Sequence, residues 1–381
     1  MYRTLRQERF EMKKKIRNAI LALTLSAGLL TATNVDAAKP IMIEEQGSFT
    51  VGGTYKERPG KFSQENFVAE DGQRAYGDFA YVEYQKPVHA KKLPLIFQHG
   101  GAQSKRTWES GPDGREGFNT MFVRAGYSVY LVDQPRSGEA NLSTEAVTPD
   151  TPWASNPMYG DKTLYVLSRI GHYDEAGNPV PNAQFPKGEK NYQAFQQSWT
   201  IGSGPLDNDL NADVLAELVN QQKDGAILVT HSMGGTIGWR TVLRTGKVKA
   251  IISYEPGGTP FVFPETEMPK ITDARFKALS ASAIGVPMND FLKLTKIPIV
   301  LYYGDYIQIG SENVGEDKWG TEYAMAEQFV ATINRHGGDA TLVHLPKIGI
   351  KGNSHFLMQE QNNEEIMKLA LAWLKEKGFD K

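Results

Sequence analysis

The sequence predicts an α/β fold built on a mostly parallel, doubly wound sheet with helices on both faces. Six near-continuous apolar runs are typical of strands that are buried on both faces of a parallel sheet. Helical periodicities follow most of these runs, and such an alternation of strand and helix predicts a doubly wound sheet. The apolar runs cover residues 93–98, 127–132, 226–230, 250–254, 297–303 and 340–345, and the helical patterns cover residues 116–125, 209–222, 234–244, 321–334 and 364–377.

Several segments fall outside this alternation. Residues 49–54 and 79–84 are short alternating stretches rich in β-branched and aromatic side chains, which predicts early antiparallel strands. Residues 139–208 show no clear strand and combine many aromatic residues with Pro, Gly and Asn, and a second gap covers residues 257–296. We interpret residues 139–208 as a cap, because connections of this length usually serve as lids or binding loops. An elaborate surface loop with its own small aromatic core is the alternative.

The first 37 residues are typical of a secretory signal peptide. A basic cluster at residues 13–17 precedes an apolar stretch at residues 19–30, and small residues end at Ala37. The apolar stretch is shorter than the ~20 residues that span a bilayer, which disfavours a retained membrane anchor. We therefore expect cleavage after Ala37 and export to a bacterial periplasm or the medium, with translation starting at either Met1 or Met12.

Composition excludes several classes of protein. Without residues 1–37 the chain keeps 35 basic and 41 acidic side chains. A mildly acidic surface without basic runs argues against nucleic acids and anionic membranes as partners. The chain has no cysteine, which excludes disulfides, thiolate metal sites and a cysteine nucleophile.

The stretch THSMG at residues 230–234 nearly matches the nucleophile-elbow pattern G-x-S-x-G, with Thr230 at the first glycine position. An apolar run precedes it and a helical pattern beginning at Gly234 follows, which is the strand-turn-helix context that the pattern requires. The alternative is a serine that caps a helix after a strand. The context favours Ser232 as a nucleophile.

A serine nucleophile needs a base, and a histidine base needs an acid to orient it. His355 follows the last apolar run through a polar loop and precedes the last helical pattern, which makes it the strongest base candidate among seven histidines. Asp305 and Glu255 each follow the end of an apolar run. Spacing alone leaves the choice between these two acids open.

Acyl transfer also needs backbone amides that face the developing oxyanion. Met233, the residue after the candidate nucleophile, is expected to supply one amide. The loop after the run at residues 93–98 reads HGGAQ, and its glycines allow the backbone amides to turn toward a substrate. We expect Ala102 to supply the second amide, with Gly101 as the alternative.

A metal site is not expected. Residues 207–213 read DNDLNAD, which resembles the start of a calcium loop, but Ala212 and Leu218 stand where glycine and glutamate are required. Asp207 or Asn208 capping the helix that follows is the favoured interpretation. No cofactor is predicted.

Together these residues resemble the α/β-hydrolase superfamily over nearly all of residues 90–378, with the elbow, the glycine loop and the late His355 in the order of that family. The stretches TWESGPDGREGF at residues 107–118 and YLVDQPRSG at residues 130–138 are similar to a branch of bacterial secreted and periplasmic serine esterases. In that branch the acid is a glutamate after the sixth strand, which implies Glu255, and a large cap covers the site. Thr230 and the Pro135-Arg136 pair depart from the family pattern.

We therefore expect a secreted serine hydrolase that cleaves carboxylic esters through an acyl-enzyme. The catalytic residues are expected to be Ser232, His355 and Glu255, with Asp305 as the alternative acid. The expected partner is a small ester with apolar or aromatic groups. An amidase, a lactonase, an acyltransferase and a catalytically silent binding module remain alternatives, because one fold hosts many activities.

Overall fold

The computed structural model describes residues 40–145 and 160–381. The predicted signal peptide with its cleavage site after Ala37, and residues 146–159 of the predicted cap, lie outside the described residues.

An eight-stranded sheet forms the centre of the unit that covers residues 42–381. Its strand order is β1-β2-β4-β3-β7-β8-β11-β12. The strands of the described residues are β1 (Ile43–Glu57), β2 (Arg74–Pro87), β3 (Leu95–Gln98), β4 (Val129–Asp133), β5 (Gly171–Tyr173), β6 (Pro179–Pro181), β7 (Ala226–His231), β8 (Val248–Tyr254), β9 (Phe261–Pro264), β10 (Ala283–Val286), β11 (Pro298–Tyr303) and β12 (Asp339–His344).

Six neighbouring strands of this sheet, from β4 to β12, are parallel, whereas β1 and β2 add an antiparallel edge. Strands β3, β4 and β7 are buried along their whole length. Burial on both faces explains why their sequences are continuous apolar runs instead of alternating ones. The predicted α/β class with a mostly parallel sheet is confirmed.

Eight α-helices lie in the described residues, and α4 packs against α5 while α1 packs against α8. Helix α7 begins at residue 314, seven residues before the predicted start, because Asn313 caps it by accepting hydrogen bonds from Gly315 N and Glu316 N. The helices are α1 (Phe118–Arg124), α2 (Asp161–Leu167), α3 (Glu189–Gln197), α4 (Asn208–Gln221), α5 (Gly234–Arg244), α6 (Met288–Leu294), α7 (Val314–Arg335) and α8 (Asn363–Glu376).

The two segments that interrupt the alternation contain regular structure. The prediction of no strand in residues 139–208 is wrong, because β5 and β6 form a small antiparallel hairpin between α2 and α3. The second gap contains β9 and β10, which pair in parallel, and helix α6. Strands of three or four residues are too short to produce a readable periodicity.

The carboxyl ends of the parallel strands all meet at one edge of the sheet. Tyr254 of β8 pairs with His231 of β7 and with Tyr302 of β11. The residues that directly follow these strands are therefore brought close together, as at the ligand-binding edge of open α/β sheets.

Candidate active site

Ser232 and Met233 form the two-residue turn between strand β7 and helix α5. The φ of Ser232, 54°, lies in the left-handed region, which is strained for a residue other than glycine. Ser232 N donates a hydrogen bond to Tyr254 O at 3.0 Å, which helps to hold the turn. Glycines make room for it: a Cβ on Gly100 would lie 2.7 Å from Ser232 Cβ, and one on Gly234 would lie 2.6 Å from His99 O.

Thr230 departs from the elbow pattern, and its surroundings explain how a larger residue fits. Its Oγ1 lies 2.7 Å from Ser253 Oγ on the neighbouring strand, so the buried hydroxyl has a hydrogen-bond partner. The helix that follows presents Gly238 to it, where an added Cβ would lie 3.1 Å from Thr230 Cγ2. The glycine that the pattern lacks on the strand is therefore found on the facing helix.

The ring of His355 lies between Ser232 and Glu255. Its Nε2 lies 3.0 Å from Ser232 Oγ, and its Nδ1 lies 3.3 Å from Glu255 Oε2. With the proton on Nδ1 facing the carboxylate, Nε2 is free to accept the hydrogen bond of the serine hydroxyl. The three side chains form a chain of hydrogen bonds from an acid through a base to a hydroxyl.

The two candidate acids have different surroundings. Glu255 is fully buried, and its Oε1 accepts hydrogen bonds from Gly304 N at 2.5 Å and from the Arg169 guanidinium at 2.8 Å. The Asp305 carboxylate instead accepts from Tyr306 N and Gly352 N, at 2.8 and 3.0 Å. No hydrogen bond joins Asp305 to the His355 ring in residues 40–145 and 160–381. Asp305 thus contacts the loop that precedes His355, and Glu255 contacts its ring.

The environment of the His355 ring favours its neutral form. Burial, together with the nearby cations of Arg169 and Lys318, lowers the pKa of His355 well below its ordinary value. The Trp319 ring lies 3.9 Å from the His355 ring, centroid to centroid, and covers it. His231 packs on the ring at 4.5 Å, centroid to centroid, and donates from Nε2 to His355 O at 2.8 Å. A neutral imidazole is the form that can act as a base.

The predicted oxyanion residues lie together on one cavity. The cavity has a volume of about 350 Å³, and Gly101, Ala102 and Met233 all contribute to its wall. Ala102 adopts a φ of 53°, and its carbonyl accepts a hydrogen bond from Thr200 N at 3.0 Å, which fixes the direction of the loop backbone. In the described part of the chain, the amides of Ala102 and Met233 donate to no protein acceptor.

Most of the remaining cavity wall is apolar and comes from the segment between β4 and β7. Arg136 also lines the cavity, but its Nε and Nη2 bind Asp78 at 2.8 and 2.9 Å, so its charge is already paired. The apolar wall residues of this segment are Pro135, Leu164, Trp199, Ile201, Pro205, Leu206 and Leu210. Ser232 and His355 are not wall residues, so the cavity adjoins the site at the predicted oxyanion residues.

Over the described ranges, 40–145 and 160–381, no group of three or more His, Asp or Glu side chains is arranged to hold a metal ion. In the same ranges no helix combines the length and the apolar character that a membrane crossing requires. The prediction that Asp207 or Asn208 caps the N-terminus of helix α4 is confirmed for Asp207, because its Oδ1 accepts hydrogen bonds from Asp209 N and Leu210 N.

Comparison with known proteins agrees with the fold described above. The model of the alpha/beta hydrolase family matches residues 95–368. The chain belongs to this family. It is similar to the solved structure of a novel bacterial esterase, with a TM-score of 0.69 and 28% identity over 89% of this chain and 98% of that chain. Probable secreted lipase phiG, from a fungal species, is 26% identical over 337 residues, which cover 77% of this chain and 85% of that protein.

The structure of this α/β hydrolase also contains site neighbours that the sequence did not indicate. Arg169 contacts Glu255 and Trp319 covers His355, yet both residues are distant in sequence from every motif. Arg169 lies in a segment without recognisable periodicity, and Trp319 lies on a helix where a buried aromatic residue is ordinary. No pattern in the sequence could have found either one.

Proposed function

We propose that this α/β hydrolase cleaves carboxylic esters through an acyl-enzyme. Ser232 Oγ attacks the ester carbonyl while His355 Nε2 takes its proton, and Glu255 holds the imidazole and stabilises the imidazolium. The amides of Met233 and Ala102 stabilise the oxyanion. His355 then protonates the leaving alcohol, and water releases the acid by the same steps in reverse order.

One observation carries this proposal: an acid, a base and a hydroxyl are linked by hydrogen bonds beside amides that have no other described acceptor. Ser232 Oγ lies 3.0 Å from His355 Nε2, and Glu255 Oε2 lies 3.3 Å from His355 Nδ1, as expected of such a chain. If Ser232 only capped helix α5, its hydroxyl would instead accept a hydrogen bond from a backbone amide of that helix. The names of its relatives, an esterase and a lipase, support esters as the substrate class.

The cavity supports a substrate with an apolar acyl group. The leaving alcohol must face His355, which gives it a proton, and the cavity does not include His355 among its walls. The part of the ester that enters the cavity is therefore the acyl side. Its Leu, Ile, Pro and Trp side chains suit a hydrocarbon or aromatic group, and the polar side chains that share the wall, such as Gln196 and Asn211, can orient it.

Export is part of the proposal. The predicted signal peptide at residues 1–37 and the similarity to a protein named as a secreted lipase support it. Mass spectrometry of the protein purified from the periplasm or medium of its host should find a mature N-terminus at residue 38. A chain that retains residues 1–37 in the cytoplasm would contradict the proposed export but not the proposed ester hydrolysis.

The nucleophile is tested with a fluorophosphonate probe and chromogenic substrates. We expect the wild type to be labelled, Ser232→Ala to remain unlabelled, and Ser232→Ala to lose about 10⁶-fold in ester turnover. Panels of esters, amides and lactones, with an added alcohol acceptor, separate an esterase from an amidase, a lactonase and an acyltransferase. Equal labelling of wild type and Ser232→Ala would contradict the proposal by pointing to another nucleophile, and no labelling of either would favour a catalytically silent binding module.

The acid is tested separately by two amide substitutions. Glu255→Gln should lower kcat by about 10³- to 10⁴-fold, because the histidine loses the partner that fixes its tautomer. Asp305→Asn serves as the matched control and should be mild, since its carboxylate accepts only from backbone amides. The reverse ranking of the two variants would assign the role to Asp305.

A further inference from the structure

Residues 167–169 bring the segment between β4 and β7 against the candidate triad. Leu167 O accepts from Trp319 Nε1 at 2.9 Å, and Ser168 O accepts from His355 N at 3.0 Å. The Arg169 side chain contacts Glu255. Leu167, Ser168 and Arg169 thus contact Trp319, the His355 backbone and Glu255, respectively.

Arg169 reaches Glu255 through a buried, strained turn. Its side chain is fully buried, and its φ of 58° lies in the left-handed region. Nη2 donates to Glu255 Oε1 at 2.8 Å, and Nε donates to Asp305 O at 3.0 Å. The planar guanidinium therefore spans the ends of β8 and β11 and holds the Glu255 carboxylate at one oxygen, which leaves Oε2 for His355.

A purely structural role explains this arrangement poorly. A buried ion pair contributes little net stability unless all of its groups are satisfied, and apolar residues of similar volume often replace one without loss. Nη1 of Arg169 is buried and has no hydrogen-bond partner in the described part of the chain. A left-handed backbone, a buried charge and an unsatisfied N–H all cost free energy, which is typical of a functional site.

We infer that Arg169 is a positioning residue that acts through Glu255: it fixes the carboxylate in the orientation that His355 requires. The segment between β4 and β7 thereby takes part in holding the catalytic residues in place. This inference rests on the proposed function. It implies that residues 167–169 stay in place when substrates enter, because any movement there would release both the acid and the histidine.

The charge of Arg169 also bears on the protonation of His355. The charged and titratable groups that face the His355 ring or its loop from the packed elements are Glu255, Asp305, Glu360, Lys318, Arg169 and His231. After burial, Arg169 is the largest cause that lowers the pKa of His355. Removal of its positive charge should raise this pKa, so the acid limb of kcat/KM should move to higher pH.

A double-mutant cycle with Glu255 tests the inference. We expect Arg169→Gln to lower kcat by about 10²-fold, the loss that follows a small misplacement of a catalytic group, with little change in KM. In the Glu255→Gln background the same change should alter kcat by less than about 3-fold, because the residue through which Arg169 acts is already lost. The acid limb of Arg169→Gln should lie at higher pH than that of the wild type.

Arg169→Lys keeps the charge and provides a second route if Arg169→Gln does not fold. Lys cannot span Glu255 and Asp305 as a planar fork does, so we expect about a 10-fold loss of kcat that again disappears in the Glu255→Gln background. The acid limb of its kcat/KM profile against pH should stay near that of the wild type. Thermal unfolding of each variant establishes that it is folded.

Arg136→Gln is the matched control, because Arg136 is also buried, left-handed and paired with a carboxylate. Its effect on kcat, whatever the size, should be the same in both backgrounds, and its acid limb should not move. Equal losses for the Arg169 variants in both backgrounds, or an unmoved acid limb in Arg169→Gln, would overturn the inference. Failure of the proposed function is distinct, since it appears as turnover that survives Ser232→Ala.

Discussion

Gly100 shows how closely the candidate oxyanion loop approaches the serine. A Cβ at this position would lie 2.7 Å from Ser232 Cβ, 3.2 Å from His231 O and 3.3 Å from Ser232 Oγ. Neither a strand-end carbonyl nor a strained turn can move away easily. The absence of a side chain at residue 100 is therefore required by the position of Ser232.

We predict that Gly100→Ala lowers kcat/KM by about 10²-fold or more, because it displaces Ser232 from His355 or turns the loop amides away. The loss of stability should stay at about 1–3 kcal/mol, as for other overpacked sites. Steady-state kinetics and thermal unfolding measure the two effects. Gly246→Ala, where a Cβ would meet no atom within 4 Å, is the control and should leave both unchanged.

At the scale of elements, strand β7 and helix α5 fit together because a threonine on the strand faces a glycine on the helix. Thr230 cannot shift easily, since it is β-branched and its hydroxyl is bonded to Ser253. Sequence comparison with the elbow pattern could identify Thr230 as a departure. The compensation at Gly238 became visible only when the helix was packed on the strand.

We predict that the cost of filling Gly238 depends on Thr230. Gly238→Ala should destabilise the wild type by about 1–2 kcal/mol, because overpacking exceeds the gain in helix propensity. In a Thr230→Gly background the same change should stabilise by up to about 1 kcal/mol, the propensity gain alone. Chemical denaturation of the four proteins gives the coupling, and equal effects of Gly238→Ala in both backgrounds would contradict the packing argument.

At the scale of the whole molecule, a buried carboxyl that takes no part in the proposed mechanism links stability to pH. Glu360 is fully buried and accepts hydrogen bonds from Ser354 N and Asn353 Nδ2, both at 2.6 Å, and so holds the loop that carries His355. Burial raises the pKa of Glu360 to about 7. The folded state therefore binds a proton more tightly than the unfolded chain does.

A carboxyl whose pKa is raised by folding stabilises the fold at low pH. This contribution is lost as the pH rises from the pKa of the group in the unfolded chain to its pKa in the folded protein, about 7. Glu360→Gln is a non-titrating isostere of the protonated acid. Its stability relative to the wild type should increase by up to about 3 kcal/mol between about pH 4.5 and pH 7.5. Denaturation at both pH values measures this, and a difference that does not change with pH would contradict it.

The elements that leave a pattern in the sequence itself were predicted, and those that leave none were missed. The parallel strands were predicted because burial on both faces leaves a continuous apolar run in the sequence itself, as in β3, β4 and β7. The early antiparallel pair β1–β2 was predicted from its alternation, although its strands are longer than expected. The hairpin β5–β6 was missed, because three-residue strands that pair only with each other leave no such pattern.

The sequence by itself determined the fold class, the turn that presents Ser232 and the loops that could supply a base, an acid and oxyanion amides, because all of these are local signals at the ends of buried runs. It left Glu255 and Asp305 as equals until family resemblance favoured the first, since both follow neighbouring strands, β8 and β11. Only the tertiary structure decided which carboxylate lies beside the His355 ring. The left-handed turn at Glu255 directs its side chain toward the ring, Asp305 binds the backbone of the histidine loop, and Arg169 reaches both strand ends from a distant segment.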